Sequence, residues 1–207
     1  KALINSLIIS FLTGIIVTIS GFMISSILVL NHKNILFQQS LFILSSLIII
    51  VSPIILSLGY FIILGELRYS VFFKYFIVIL INCIFLIPFS LLILFNNTKN
   101  IFLNFSEIKE VFRIDIYNFF KIILPLLKKN LFYVFAFSTV ITFGDFTIIS
   151  FFKSTNFDTL PSYLYKLISV YRFEEASFVS GFILLFSILI YFIIDNFNYH
   201  GRSAIRT

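Results

Sequence analysis

NNTKNIFLNFSEIKEVFRIDIYNFFKIILPLLKKN, residues Asn96 to Asn130, is a long polar interlude in a chain that is otherwise close to continuous hydrocarbon. It holds six of the fifteen basic residues (Lys99, Lys109, Arg113, Lys121, Lys128 and Lys129) and three acids, Glu107, Glu110 and Asp115. On either side the chain is apolar for runs long enough to cross hydrocarbon. A segment of this kind stays in water because something in the water touches it, and the reading that follows is a surface where a soluble partner docks.

The flanks decide the class. The chain has 207 residues, 60% of them hydrophobic and 12% charged, with a mean hydropathy of +1.09. A soluble domain of this size would leave much of its Leu, Ile and Phe in water, at roughly 25 cal/mol per Å². A polytopic membrane protein removes that cost. Ala2 to Asn31 carries no charge, and neither does Asn34 to Gly65. Further spans are expected over about Phe72–Phe95, Leu131–Phe152 and Ala176–Ile194, which makes five. Within them, Gly14, Ser20, Gly21, Ser25 and Ser26 suit close helix approach. Pro53 is expected to kink or break the second span. Asn82 and Pro88 interrupt the third, and Lys74 near its start is expected to snorkel.

Loop charge sets the orientation. With residues 96–130 in the cytoplasm, that side holds nine basic residues against six outside, so the N-terminus is expected outside and the C-terminus inside. The net charge of +6 reports topology in such a chain and does not point to nucleic acid. Cys83 is the lone cysteine, so no disulfide forms within the chain. Trp is absent, which leaves Tyr and Phe for any interfacial belt. The chain starts at Lys1 within reach of its first span, and a fragment of a longer protein is the expectation.

Three constellations are candidates for function. In the polar stretch, Ser106 to Phe112 reads as a short helix. Ser106 is its N-cap, acids occupy its first turn, and Ile108, Val111 and Phe112 lie on one face. A second turn spans Ile116 to Ile123 before Pro125 restarts the chain. This pair either lies on the membrane surface or fits a groove on another protein. In the fourth span, Thr142-Phe143-Gly144-Asp145-Phe146 sets an acid in an apolar helix. Asp145 either caps a helix end, paired with Lys153 or Arg172, or lines a pathway for a cationic solute. The outer segment DTLPSYLYKLISVYRFEE (residues 158–175) suggests a turn at Thr159 and a helix starting near Pro161. Its Tyr163, Tyr165 and Tyr171 are suited to the interface. No phosphate-binding glycine loop, nucleophile elbow or metal-ligand spacing occurs, so neither catalysis nor a metal or cofactor bound by this chain is expected.

These residues together resemble the type I permease subunits of ABC importers, the inner-membrane components of binding-protein-dependent transport. That family's cytoplasmic loop carries an EAA motif that ends in I-x-L-P, and Ile122-Ile123-Leu124-Pro125 matches the end. Counting back places Ser106-Glu107-Ile108 at EAA and Phe112 at the motif's glycine. A shift of one residue places Glu107 at the acid and Arg113 at the glycine. Neither register keeps the alanines or the glycine. The series Gly144-Asp145-Phe146, Thr159-Leu160-Pro161, Tyr163-Leu164-Tyr165 and Tyr171-Arg172 is similar to the thiamine branch of the family, as is SPIILSLGYFI around Pro53. The match is to the second half of a permease about twice as long.

The resemblance implies an all-α membrane protein with five to six transmembrane helices, a single permease domain over 1–207 with its coupling loop at 96–130. It implies a pathway for thiamine or thiamine phosphates in the bacterial inner membrane. The implied partners are an ATPase subunit that binds ATP and Mg, a periplasmic binding protein, a second permease half and the lipid bilayer. Coupling then falls to Ser106, Glu107, Ile108, Glu110, Phe112, Arg113, Ile122, Leu124 and Pro125. Pathway or gate residues are Gly144, Asp145 and Pro53, and the binding protein meets Thr159, Pro161, Tyr163, Tyr165 and Arg172. The alternatives are a permease for another solute such as iron(III), and a membrane scaffold that does not transport.

Overall fold

In the computed structural model the first helix, α1 (Ala2–Leu30), is the one the others pack around. Its buried side is a stripe of small residues: Ser6, Ser10, Thr13, Gly14, Gly21, Ser25 and Ser26. Its opposite side exposes Ile4, Ile8, Phe11, Ile15, Ile19 and Met23. Soluble helices show the reverse. In lipid the large apolar side chains gain nothing by turning inward, and association rests on backbones that approach closely across small residues. The buried hydroxyls are largely satisfied by their own helix: Ser25 donates to Phe22 O at 3.0 Å, Thr98 to Leu94 O at 2.8 Å and Ser138 to Val134 O at 2.6 Å.

The structure describes residues 1–30, 36, 39–40, 43, 47–48, 50–64, 70–112, 116–154 and 157–203, with the backbone alone at 104–112, 116–123 and 194–203. The helices after α1 that are continuous among the described residues are α2 (Pro53–Ile63), α3 (Val71–Phe112), α4 (Ile116–Gly144), α5 (Ile149–Phe152), α6 (Leu160–Ser169) and α7 (Phe173–Ser203). Among the described residues there is no strand, and four helical segments are long and apolar enough to cross a membrane: Ala2–Leu30, Val71–Leu103, Leu124–Gly144 and Phe173–Ile193. The protein is thus an all-α, multi-pass membrane protein. The second expected span, 34–65, is described only in part: 36, 39–40, 43, 47–48 and 50 are helical, and α2 follows a break at 51–52.

α3 runs parallel to α1, with Tyr75 against Asn5 and Ser90 against Gly21. α4 runs antiparallel, with Thr139 against Gly14. Three apolar layers fill the bundle. Ile9, Ile77, Ile81, Ile148, Phe152 and Phe157 form the outer one. Val17, Leu86, Leu94, Leu127 and Val134 form the middle one. Leu28, Val29, Phe95 and Phe102 close the inner end.

Several expectations are resolved or corrected. At Pro53 the expected break, rather than a kink, is found. The proline starts α2 at the first turn, where its missing N–H costs nothing, and Ser52 caps the helix by accepting from Ile54 N at 3.4 Å. α3 does not end near Phe95. It continues unbroken through Asn82, Pro88 and the front of the polar stretch for 42 residues, about 63 Å at 1.5 Å per residue. Ser106 is therefore interior to a helix, not an N-cap, and no separate short helix begins there. Asn82 fits because it is buried and its amide donates to Val78 O at 2.9 Å. Lys74 is not a snorkelling residue at the rim. It is only 8% exposed. Pro125 does not restart the chain either, since it sits inside α4. α4 ends at Gly144 rather than at Phe152, because the backbone leaves the helix at Asp145. Residues 31–35 and 65–69, beside the ends of the expected spans, lie outside the described residues.

Candidate functional site

At the end of the bundle that carries the polar stretch, both long helices run on into it. α3 extends through 104–112 and α4 extends back to Ile116, so the polar stretch is helical on both sides of residues 113–115. Ser106, Glu107, Ile108, Glu110 and Phe112 lie on the first extension and Ile122 on the second. Arg113 lies outside the described residues. Glu107 and Glu110 thus occupy the last two turns of α3, where the negative end of the macrodipole disfavours an acid. Leu124 and Pro125 are exposed, and with Ile15, Thr18, Ile19 and Lys128 they line a groove of about 520 Å³ between α1 and α4. Lys99, Lys128 and Lys129 each lie over a neighbouring ring, at 6.0 Å from Phe95, 5.9 Å from Phe132 and 5.8 Å from Tyr133.

At the other end the chain breaks twice in apolar surroundings, before Pro53 and after Gly144. α2 packs on the segment after Asp145, with Phe61 and Phe152 edge to face at 5.9 Å. Gly144 has open space where a Cβ would sit. Asp145 caps the turn that leads into α5, accepting from Thr147 N at 2.9 Å and Ile148 N at 3.3 Å. It is not in the interior of a helix, and the pairing once open to it goes elsewhere: Arg172 binds Glu175 and Lys153 lies over the Tyr165 ring at 5.4 Å.

Burial pushes the Asp145 carboxyl above its ordinary value of 3.8, against the opposing pull of the Thr147 and Ile148 N–H groups. A raised folded value means that the folded state holds this proton more tightly than the unfolded chain does. The stability it contributes is present below the ordinary value and is lost as pH rises through the folded one. Ionisation on going to higher pH therefore weighs against the fold, while the oxygen still serves as a cap. Asp145→Asn keeps an acceptor and drops the charge, so its thermal midpoint at pH 7 is expected to equal or exceed that of the wild type. Asp145→Ala loses the cap and about 1 kcal/mol. Equal destabilisation in both variants would contradict this account.

The outer turn is built as the proline spacing suggests. α6 starts at Leu160 with Thr159 as N-cap, and Thr159 N donates to Ser162 Oγ at 2.9 Å. The Ser162 hydroxyl also reaches the Asp158 carboxylate. Thr159 and Pro161 are buried, whereas Tyr163, Tyr165 and Arg172 are exposed, so only the last three present surface to a partner. Tyr165 stacks on Phe146 at 4.8 Å, which joins the Gly-Asp-Phe and Tyr-Leu-Tyr motifs in space. Tyr171 turns the chain into α7 with φ of 59°, a left-handed conformation that costs a tyrosine strain.

Sequence reasoning missed the residues that hold this turn. Asn5 Nδ2 donates to Asp158 O at 2.7 Å, Tyr75 Oη donates to Asn5 Oδ1 at 2.5 Å, and Leu160 N donates to Ser6 Oγ at 2.8 Å. The available signal was a polar pair, Asn5-Ser6, in an apolar run, where an unpaired amide is costly.

No protein-family model matches the chain. It is 29% identical over 207 residues, 99% of its length, to the thiamine transport system permease protein ThiP of Salmonella typhimurium. It is 29% identical over 198 residues, 94% of its length, to the protein of that name from Escherichia coli. The Haemophilus influenzae protein is 30% identical over 145 residues, 68% of the chain. The chain spans 38%, 37% and 27% of the length of these three relatives.

Proposed function

From this relatedness to thiamine transport permeases, we propose that the chain is a membrane-spanning part of an ABC importer permease in a bacterial inner membrane. It forms part of the pathway for thiamine or a thiamine phosphate. The observation that carries the reading is the similarity over 99% of the chain, which includes the Gly-Asp-Phe, Thr-Leu-Pro and Tyr-Leu-Tyr series. A periplasmic binding protein delivers the solute to the face that exposes Tyr163, Tyr165 and Arg172. An ATPase subunit, which binds the ATP and Mg, docks on the 104–123 extensions, with Glu107, Glu110 and the neighbouring Ile108, Phe112 and Arg113 as contacts. The gate lies at the helix breaks before Pro53 and at Gly144-Asp145, because a backbone already free of its helical bonds shifts at low cost. A second permease half and lipid cover the exposed apolar faces of α1 and α7.

The test is a reconstitution in proteoliposomes of the complete permease with its ATPase and binding protein. Thiamine-loaded binding protein is expected to stimulate ATP hydrolysis severalfold, and ferric ion is expected to leave it unchanged. Stimulation by ferric ion alone would transfer the proposal to a different substrate. A failure of every solute would favour a scaffold.

A further inference from the structure

The outer turn is fastened to the body of the protein by a short relay that brings together three parts of the chain far apart in sequence. Tyr75, on α3, donates its hydroxyl to Asn5 Oδ1 on α1, and Asn5 Nδ2 donates to the main-chain carbonyl of Asp158, just before α6. Beside it Ser6 Oγ accepts from Leu160 N, and the Phe157 ring stands edge-on to Tyr75 at 4.8 Å. The orientation of the Asn5 amide is forced: a carbonyl only accepts, so the NH₂ must face Asp158 and the oxygen must face the tyrosine. Reversing the amide would set its oxygen against the Asp158 carbonyl and lose that bond. Asn5 is 8% exposed and Ser6 3%, so water offers little replacement for a lost partner and each bond holds more firmly than one at the surface.

Tyr75 stands near the start of α3, and the same helix runs without a break to Phe112. That is 37 residues on, about 56 Å. One rigid element therefore ends at the relay on one side and at Glu107 and Glu110 on the other.

We propose that Tyr75 and Asn5 are positioning residues that latch the outer turn to α3, so that a displacement of the inner end of α3 is delivered to the 157–162 turn. This rests on the reading of the inner end as an ATPase-docking surface. Energy released on the inner side then reaches the turn along α3 and through two hydrogen bonds by way of Asn5 on α1. Phe157 supplies packing but no directionality. The hydroxyl and the amide supply the direction, since they are made in one register only.

Tyr75→Phe is the cleanest probe, because it removes the hydroxyl and keeps the ring against Phe157. In proteoliposomes with the ATPase and binding protein, basal hydrolysis is expected to be unchanged. Thiamine uptake per ATP is expected to fall about five- to tenfold, the size of one net hydrogen bond. Asn5→Asp, which keeps the acceptor for Tyr75 and loses the donor to Asp158, is expected to do the same. A second readout needs no substrate. With Cys83 replaced by Ser, a cysteine at buried Leu160 is labelled by a membrane-impermeant maleimide, and Tyr75→Phe is expected to speed the labelling by a similar factor. Wild-type values in both assays overturn the latch. So does a collapse of monodisperse protein in detergent, which would assign the relay to stability alone. If the parent complex shows no response to thiamine, the functional reading fails and the latch is judged on labelling.

Discussion

Gly21→Val is expected to leave little folded protein. A Cβ at Gly21 would lie 2.3 Å from Ser90 Oγ and 2.8 Å from Ser90 Cβ. The hydroxyl can rotate away, at the expense of its 2.7 Å bond to Ile87 O. The Cβ cannot, because it is fixed to the backbone of α3. α1 and α3 must therefore move apart along the seam that also carries the Asn5–Tyr75 relay. Overpacking of this kind costs roughly 1–3 kcal/mol, and valine adds two methyl groups beyond the clashing carbon. The upper end of that range corresponds to a fall of about 6–12 °C in thermal midpoint for a chain of this size. Gly181→Val is the control, since a Cβ on Gly181 meets nothing within 4 Å. Monodisperse yield and thermal midpoint in detergent are the measurements. Equal behaviour of the two variants would show that the α1–α3 approach is not set by Gly21.

Reversal of Glu107 and Glu110 to Lys is expected to reduce thiamine uptake more than tenfold while the protein still inserts and folds. Both acids sit in the last two turns of α3, where helix electrostatics favours cations. Within the isolated chain the change to lysine should even help the helix by a few tenths of a kcal/mol. Acids retained at a position the helix disfavours are explained by cationic groups on a partner. Reversing two charges across a docked interface costs on the order of 2–5 kcal/mol, which is more than a tenfold loss. The measurement is uptake in cells, alongside co-purification of the ATPase. Glu174→Lys, at the opposite end in the first turn of α7, controls for general charge effects. Normal uptake and normal co-purification in the double reversal would be the result that would falsify docking at 104–112.

The class of the protein was legible in composition alone. Apolar runs of this length, with charge confined to their ends, fit only a membrane protein built from helices. The small residues of α1 were also readable as helix-contact positions, and Gly14 and Gly21 are such contacts. The turn at Thr159 and the helix after it followed from local chemistry, a capping residue and a proline at the first turn. These features share a cause: they depend on neighbours in sequence or on the solvent.

The lengths and joints of the helices were a different matter. Asn96, Asn97, Thr98 and Asn100 weaken a helix by local propensity, yet α3 passes through them. Phe95 and Phe102 pack on Leu28 and Val29 at the end of α1, and Thr98 returns its hydroxyl to Leu94 O. Pro88 and Pro125 read as breaks and are held inside α3 and α4 by the surrounding bundle. Asp145 was open between a helix-end cap and a pathway acid, and the fold makes it a cap: α4 stops beside it and its carboxylate accepts from Thr147 N and Ile148 N. Least visible of all was the relay from Tyr75 through Asn5 to Asp158, whose members lie 70 and 153 positions apart. Solvent and local chain chemistry determined from sequence alone that residues 96–130 separate two membrane spans. Only packing decided that this stretch extends two long helices, because a contact between distant residues outweighs the weak local preferences that a sequence displays.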